Sequence, residues 1–269
     1  MKPPYKYRYK FWNYPWLTIC LACILMTVTT AAIAEYKKPS QTSAPNSRTT
    51  TSSASRGACL NQNNTQLTAI APYSHVGQTT STHPTFSWFV PDDEYFPLEF
   101  HLIEETHNTH PKTIYKQNLS SSLGMMYLTL PSSQPDLAVG KKYHWQVIMR
   151  CTRYKAVVTM ADIEVITPKK EFQATLNKTS GIARRADLYA QAGLWYDALE
   201  ISLQAPEFQR TELQNKLIQE LVVLERNYNI ASVQEQGEKL ARINDYISRV
   251  SVSVREANTM RKRDPLNNY

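Results

Sequence analysis

The chain has 269 residues, of which 42% are hydrophobic and 20% charged, the composition of an ordinary globular protein. Its seven glycines form no G-x-G-x-x-G or G-x-x-x-x-G-K-[ST] pattern, and no serine lies in a G-x-S-x-G turn. The sequence therefore gives no support for a nucleotide-binding loop or a hydrolase nucleophile elbow. The formal net charge is +7, but the basic residues are unevenly placed.

Residues 1–34 have the three parts of a secretory signal peptide. Four basic residues precede an uncharged stretch from Leu17 to Ala34, which is apolar at first and ends in small residues. Ala32 and Ala34 have the spacing of a signal-peptidase site, so the sequence predicts cleavage between Ala34 and Glu35 and a periplasmic or extracellular product. An uncleaved membrane anchor is the alternative, because about 18 residues lie at the lower limit for spanning a bilayer.

Export changes the meaning of the net charge. Removing residues 1–34 takes away four of the 30 basic residues and no acidic one, which leaves a mature chain of about +3. The remaining basic cluster is at the C-terminus, where residues 258–269 are expected to form a flexible tail. Nucleic-acid binding requires a clustered basic face and is not predicted.

The cysteines divide in the same way. Cys20 and Cys23 leave with the signal peptide, so Cys59 and Cys151 remain. An even pair in an exported protein predicts a disulfide bond between them. In the chain-entropy model a loop of this length would stabilise the fold by roughly 4 to 5 kcal/mol. Two buried free thiols are the alternative interpretation.

The next two segments differ sharply in pattern. Residues 35–58 are rich in Ser, Thr, Pro and basic residues, with little to bury, and are predicted to be a flexible, disordered linker. Residues 59–168 alternate apolar and polar side chains, which predicts an antiparallel β-sandwich domain. About seven strands are expected, at 67–71, 85–90, 98–104, 112–117, 125–130, 142–151 and 157–166.

Two local motifs in this region resemble fibronectin type III domains. Leu137 lies six residues before Tyr143, as in the corner between strands E and F of those domains, and Trp88 is placed like the core tryptophan of their second strand. The resemblance implies a structural role for Trp88 and Tyr143, with the Tyr143 hydroxyl bonded to nearby backbone. Trp145, two residues further along the same strand, is assigned to the core as well.

Residues 169–257 change to a helical period. Helices are expected at about 171–191, 195–205, 211–226 and 234–257, which gives three or four in all. The run from Tyr189 to Ala198 resembles one tetratricopeptide unit, in which Gly193 permits the turn, Ala198 allows close helix approach, and Tyr189 and Trp195 belong to the core. The expected fold class is α+β, with an immunoglobulin- or fibronectin-like sandwich followed by helices.

A wider resemblance covers most of the mature chain. Arg56-Gly57-x-Cys59, the Pro84–Pro91 segment, Cys151 and the Gly193–Leu199 segment occur in the order seen in the cyanobacterial family called domain of unknown function 928. The resemblance implies an exported protein and supplies no catalytic residues to carry over.

Metal and cofactor chemistry finds little support. His101, His107 and His110 could approach one another on a hairpin, but a metal site needs three or four supported ligands, and the segment is typical of a polar loop. Asp92-Asp93-Glu94 lacks the alternating ligand spacing of a calcium loop and is typical of a solvated turn. No metal and no cofactor are predicted.

The sequence therefore favours an exported, non-catalytic binding or scaffold protein. Its expected partner is an envelope protein or polymer, bound at a strand edge or a helical groove, and contact with the membrane is expected only through the signal segment. A module that binds carbohydrate or an envelope polymer is the alternative, since the chain has 16 tyrosines and five tryptophans. A hydrolase ranks third, because it would require a pocket with convergent ionisable side chains.

Overall fold

The computed structural model describes residues 35–45, 66–91, 94–105, 111–153 and 155–263, with side chains up to residue 251. Residues 1–34 and Cys59 lie outside the described residues. The cleavage between Ala34 and Glu35 and the bond between Cys59 and Cys151 therefore stay predictions.

Strands come first in the chain and helices follow. The described strands are β1 (Thr68–Ala69), β2 (Gly77–Thr79), β3 (Thr85–Val90), β4 (Pro97–Glu104), β5 (Lys112–Ser120), β6 (Gly124–Thr129), β7 (Lys142–Thr152) and β8 (Lys155–Val165). The described helices are α1 (Lys170–Lys178), α2 (Ile182–Gln191), α3 (Trp195–Leu203), α4 (Glu207–Arg226) and α5 (Ala231–Arg263).

The strands form two sheets, with the orders β1-β3-β6 and β2-β8-β7-β4-β5. Strand β2 runs parallel to β8, whereas the other pairs are antiparallel. The predicted seven-stranded antiparallel sandwich is therefore wrong: the described chain has one three-stranded sheet and one mixed five-stranded sheet. The three-residue strand β2 was missed because Gly-Gln-Thr is too short to show a period of two.

The predicted number of helices is also wrong, since the described residues form five. The predicted helix at 171–191 is in fact α1 and α2, because Thr179 is extended and Gly181 has φ = +91°. That left-handed conformation suits glycine and interrupts the helical hydrogen bonds. The general order of strands before helices, and the α+β class, agree with the sequence.

An aromatic cluster fills the space between the two sheets. The rings of Phe86, Phe100 and Trp145 lie 5.0 to 6.1 Å apart, and Trp88 stacks on Phe100 at 6.1 Å. In β7 the side chains at positions 143, 145, 147 and 149 are buried, as the period of two in a half-buried strand requires.

Helix α3 extends this core. Tyr196 packs edge-on against Phe86 at 6.1 Å, accepts a hydrogen bond from Trp145 Nε1 at 2.8 Å and donates one to the Asp162 carbonyl at 3.1 Å. The Tyr196 ring also explains Gly77 in β2, because a Cβ there would lie 2.7 Å from Tyr196 Cε2. The helices and the sheets therefore share one apolar core.

Candidate functional site

Strand β2 is fastened to the helices at both ends by carboxylates. Before the strand, Glu225 Oε1 of α4 accepts the N–H groups of Tyr73 and Ser74 at 3.0 and 3.1 Å. After the strand, both carboxylate oxygens of Asp197 in α3 accept the Thr80 N–H, at 3.1 and 3.0 Å. Backbone N–H groups cannot be left unpaired inside a protein at low cost, so these carboxylates fix the path of the chain.

The junction before β2 continues as a buried chain of hydrogen bonds. Ser74 Oγ donates to Glu225 Oε1 at 3.0 Å and lies 2.8 Å from His75 Nδ1, and His75 Nε2 lies 2.8 Å from the Tyr36 hydroxyl. All four side chains are at most 2% exposed. Burial lowers the pKa of His75 to about 3 and raises the pKa of Glu225. His75 is therefore neutral at physiological pH.

This buried chain differs from a Ser-His-acid catalytic relay. In such a relay the acid orients the histidine and the serine faces the substrate. Here Glu225 contacts Ser74 instead of His75, and the second nitrogen of His75 is engaged by Tyr36. The arrangement is that of a structural junction.

Tyr36 belongs to residues 35–45, which we call the N-terminal strap. Its backbone N–H donates to Glu220 Oε2 at 2.9 Å, Lys37 N donates to the Ala190 carbonyl at 3.0 Å, and Val76 N donates to the Ser43 carbonyl at 3.1 Å. These eleven residues, which the composition assigned to a flexible linker, are thus bonded to α2, α4 and the segment before β2. Residues 46–58 of that predicted linker lie outside the described part of the chain.

The junction after β2 is open. A cleft of about 510 Å³, here called the polar cleft, lies where Asp197 reaches Thr80. Burial raises the pKa of Asp197, opposed by the hydrogen bonds from Thr80. The lining residues come from the β2–β3 loop, α2, α3 and the residues beside these helices: Thr80, Ser81, Gly181, Ile182, Arg185, Tyr189, Asp197, Glu200, Ile201 and Gln204.

Tyr189 lies among the charged groups of the polar cleft. Its side chain is hydrogen-bonded to Arg185, and its pKa, raised mainly by burial, also responds to Asp197 and Glu200. Glu200 accepts hydrogen bonds from Thr85, and burial raises its pKa. Among the described residues, Arg185 Nε and Glu200 Oε2 are buried atoms without a hydrogen-bond partner.

A second concave surface lies at the start of strand β5, over residues 112–115, and reaches Glu104 of β4 and Tyr143 of β7. It has a volume of about 360 Å³ and lies between β5 and the loop from residue 130 to 141. We call it the edge groove. Its apolar lining includes Ile114, Tyr115, Leu130 and Leu137, and its charged residues are Glu104, Lys112, Asp136 and Lys141.

The residues predicted to be structural lie as follows. Trp88, Trp145 and Trp195 are fully buried. The Tyr143 hydroxyl accepts the Ala138 N–H at 2.8 Å, five residues upstream. Tyr189 is half-buried, with its ring 5.5 Å from that of Phe172. Two further positions complete the set: Gly193 has φ = +79°, and Ala198 is fully buried in α3.

The predicted metal candidates are only partly described. His101 in β4 has its Nε2 atom 3.2 Å from Glu99 Oε2, whereas His107, His110, Asp92 and Asp93 lie outside the described residues. Within the described ranges, no group of three or more His, Cys, Asp or Glu side chains is arranged to hold a metal ion. Cys151 is half-buried in β7 against the core.

Sequence reasoning missed the carboxylates that join helices to strands. Asp197 lies within the Gly193–Leu199 segment without a role of its own, and Glu200 and Glu225 belong to no motif. A signal was present, since Asp197 interrupts the apolar run Leu194-Trp-Tyr-Asp-Ala-Leu199. An acid in an otherwise buried helix requires a hydrogen-bonding partner.

No helix in the described part of the chain combines the length and the apolar character needed to cross a bilayer.

The fold defines an α+β protein in which a layer of helices is fastened to two small sheets by buried carboxylates. The chain belongs to the family described as Domain of Unknown Function (DUF928), whose model matches residues 51–236. The match includes Asp197, Glu200 and Glu225, and it begins after the N-terminal strap. No curated protein matches the chain.

Proposed function

We propose that this protein is an exported, non-catalytic binding protein that holds an extended segment of an envelope protein along the free edge of β5. The observation that carries the proposal is the position of β5 in its sheet. Within the described residues β5 is an end strand, paired with β4 on one side only. Alternate N–H and C=O groups of an end strand point away from the sheet and can pair with another chain.

The edge groove supports a side-chain contribution to the same contact. Strand addition gains affinity from backbone hydrogen bonds and specificity from pockets that receive alternate side chains. Ile114, Tyr115 and Leu137 give the edge groove an apolar lining suited to an apolar partner side chain. Lys141 pairs with Glu104 at the same groove, so charges of both signs surround the apolar part.

Export and the disulfide bond between Cys59 and Cys151 are parts of the same proposal. They are supported by the signal-like N-terminus and by the even number of cysteines beyond it. Intact-mass analysis of the secreted protein, with and without a reducing agent, tests both at once. A product that begins at Glu35 and gains two hydrogens on reduction is expected, whereas an intact N-terminus with reduced thiols would contradict this part.

Site-specific photocrosslinking in the source cells tests the binding mode. A photoreactive residue is placed at Thr113 or Asn118, which are exposed on β5, or at Val223, which is 40% exposed on α4 and serves as the control. Thr113 and Asn118 should capture the same protein within one segment, at positions about five residues apart, because paired strands advance together. Crosslinks scattered over several proteins, or equal capture from Val223, would overturn the proposal.

A matched pair of substitutions completes the test. Ile114→Asp places a charge in the edge groove, and Val223→Asp places the same charge on α4. Ile114→Asp should reduce capture from Asn118 at least about tenfold, since a buried unpaired charge disfavours association, while Val223→Asp should leave it unchanged. Thermal unfolding of both variants confirms that they are folded.

A further inference from the structure

We infer that the polar cleft is a binding site for a saccharide unit with adjacent ring hydroxyls. It shares no lining residue with the edge groove, so this inference stands apart from the proposed protein contact. A volume of about 510 Å³ falls within the usual range for small-ligand sites and is large enough for one or two sugar rings.

The charges that line the polar cleft favour a neutral polar ligand. A simple anion would meet the carboxylates of Asp197 and Glu200, and a simple cation would meet the guanidinium of Arg185. An apolar ligand would remove water from these groups without replacing their hydrogen bonds, which is costly. A sugar hydroxyl both donates and accepts, so it can bond to either kind of group.

Two unpaired atoms support this interpretation. Arg185 Nε is a donor and Glu200 Oε2 is an acceptor, and both lack a partner among the described residues. Leaving such a group unpaired costs about 1–3 kcal/mol. Their side chains line the polar cleft while the two atoms themselves are closed off from solvent, so a ligand that supplies an acceptor and a donor would pair with them once these side chains turn toward the cleft.

The remaining lining suits a sugar ring as well. Ser81 and Gln204 add neutral hydrogen-bonding groups, while Ile182 and Ile201 add apolar surface for ring C–H groups. Tyr189 supplies an aromatic ring bearing a hydroxyl, the combination of apolar body and polar tip that serves at wet interfaces.

The test uses the full mature chain and isothermal titration at pH 7 with three neutral probes: cellohexaose, maltohexaose and mannohexaose. At least one should bind with a Kd below about 1 mM. Arg185→Ala and Arg185→Lys should each weaken that binding about tenfold, because both lose the planar fork of donors. Arg184→Ala is the matched control, since Arg184 is exposed, adjacent in sequence and outside the lining, and it should change the Kd less than about twofold.

The outcomes separate the two sites. Binding of none of the three probes, or an equal loss of affinity in Arg184→Ala and Arg185→Ala, would overturn the saccharide inference. Displacement of a bound probe by a peptide that crosslinks to β5 would also overturn it. Unchanged sugar binding by Ile114→Asp is expected, because that residue lines only the edge groove.

Discussion

At both ends of β2 a helix carboxylate accepts backbone N–H groups, but one junction is buried and the other is open. Before the strand, Glu225 binds loop N–H groups and then continues into a chain through Ser74 and His75 to Tyr36, all of it buried. After the strand, Asp197 binds a loop N–H beside an open cleft. The difference indicates that the closed end serves stability, whereas the open end presents polar lining residues to a cleft that a ligand can enter.

The largest loss of stability is expected from a substitution at the closed end, the junction before β2. Glu225→Ala would leave the N–H groups of Tyr73 and Ser74 and the Ser74 hydroxyl without their acceptor, so the free energy of unfolding should fall by about 3 to 4 kcal/mol. Glu225→Gln is the control, because its carbonyl oxygen can still accept, and it should lose less than half as much. Urea unfolding of the natural protein and of the two variants measures both losses of stability. Equal losses for Glu225→Ala and Glu225→Gln would show that a hydrogen-bond acceptor at position 225 is unimportant.

The next prediction tests the strap with two glycines of equal backbone conformation. Gly193 and Gly140 have φ of +79° and +80°, but a Cβ on Gly193 would lie 2.7 Å from Pro39 Cγ and 2.9 Å from the Lys37 carbonyl oxygen, while Gly140 has nothing within 4 Å. Gly140→Ala should cost about 1 kcal/mol from backbone strain alone. Gly193→Ala should cost about 2 to 3 kcal/mol, because the strap must shift as well.

Thermal unfolding measures this difference, and protease sensitivity of the strap locates it. Cleavage within residues 35–45 should accelerate in Gly193→Ala and stay unchanged in Gly140→Ala. Identical behaviour of the two variants would mean that the strap contributes nothing at that contact.

A pH-dependent effect is expected where the strap meets α4. Burial raises the pKa of Glu220 to about 7, although the Tyr36 N–H and Lys216 oppose the shift. A raised pKa means that the folded state keeps a proton that the unfolded state has lost, so stability is lost as the pH rises from about 4.5 through 7. Glu220→Gln cannot ionise, and its amide oxygen can still accept the Tyr36 N–H.

This substitution should therefore stabilise the protein by about 1 to 2 kcal/mol at pH 8, a value reduced to allow for partial solvent screening. The gain should vanish at about pH 3.5, below the ordinary pKa of 4.5, where Glu220 is protonated in both the folded and the unfolded state. Chemical denaturation at the two pH values measures it. A gain that is the same at both values would contradict the assigned ionisation.

The smallest effect on stability is expected in the polar cleft. Glu200→Gln keeps an oxygen for Thr85 on a residue that is only half-buried, so the free energy of unfolding should change by less than about 0.5 kcal/mol. Urea unfolding measures this change. A loss as large as that of Glu225→Ala would mean that the two ends of β2 do not differ in role.

The sequence predicted those parts of the fold that have a clear period. The alternation of Tyr143, Trp145, Val147 and Met149 placed β7 within one or two residues of its ends, because a half-buried strand must alternate. The three-residue strand β2 carries no such period, and its parallel pairing with β8 joins residues 86 apart in the chain. Pairing over that separation leaves no local trace.

The polar contacts were harder to predict than the strands. Tyr36 is surrounded in sequence by the composition of a linker, yet it is 2% exposed because His75 and Trp195 surround it. Asp197 and Glu225 meet their partners only when α3 and α4 pack beside β2. Such contacts depend on how distant segments pack. The sequence indicates only one of them, through the acidic Asp197 within an apolar run.

The depth of Tyr36 has a consequence for maturation. It lies two residues beyond the predicted cleavage position, so a mature chain that begins at Glu35 would bury its second residue. A purification tag fused immediately before Glu35 would lie next to the buried Tyr36 side chain, so the C-terminus is the better position for a fusion.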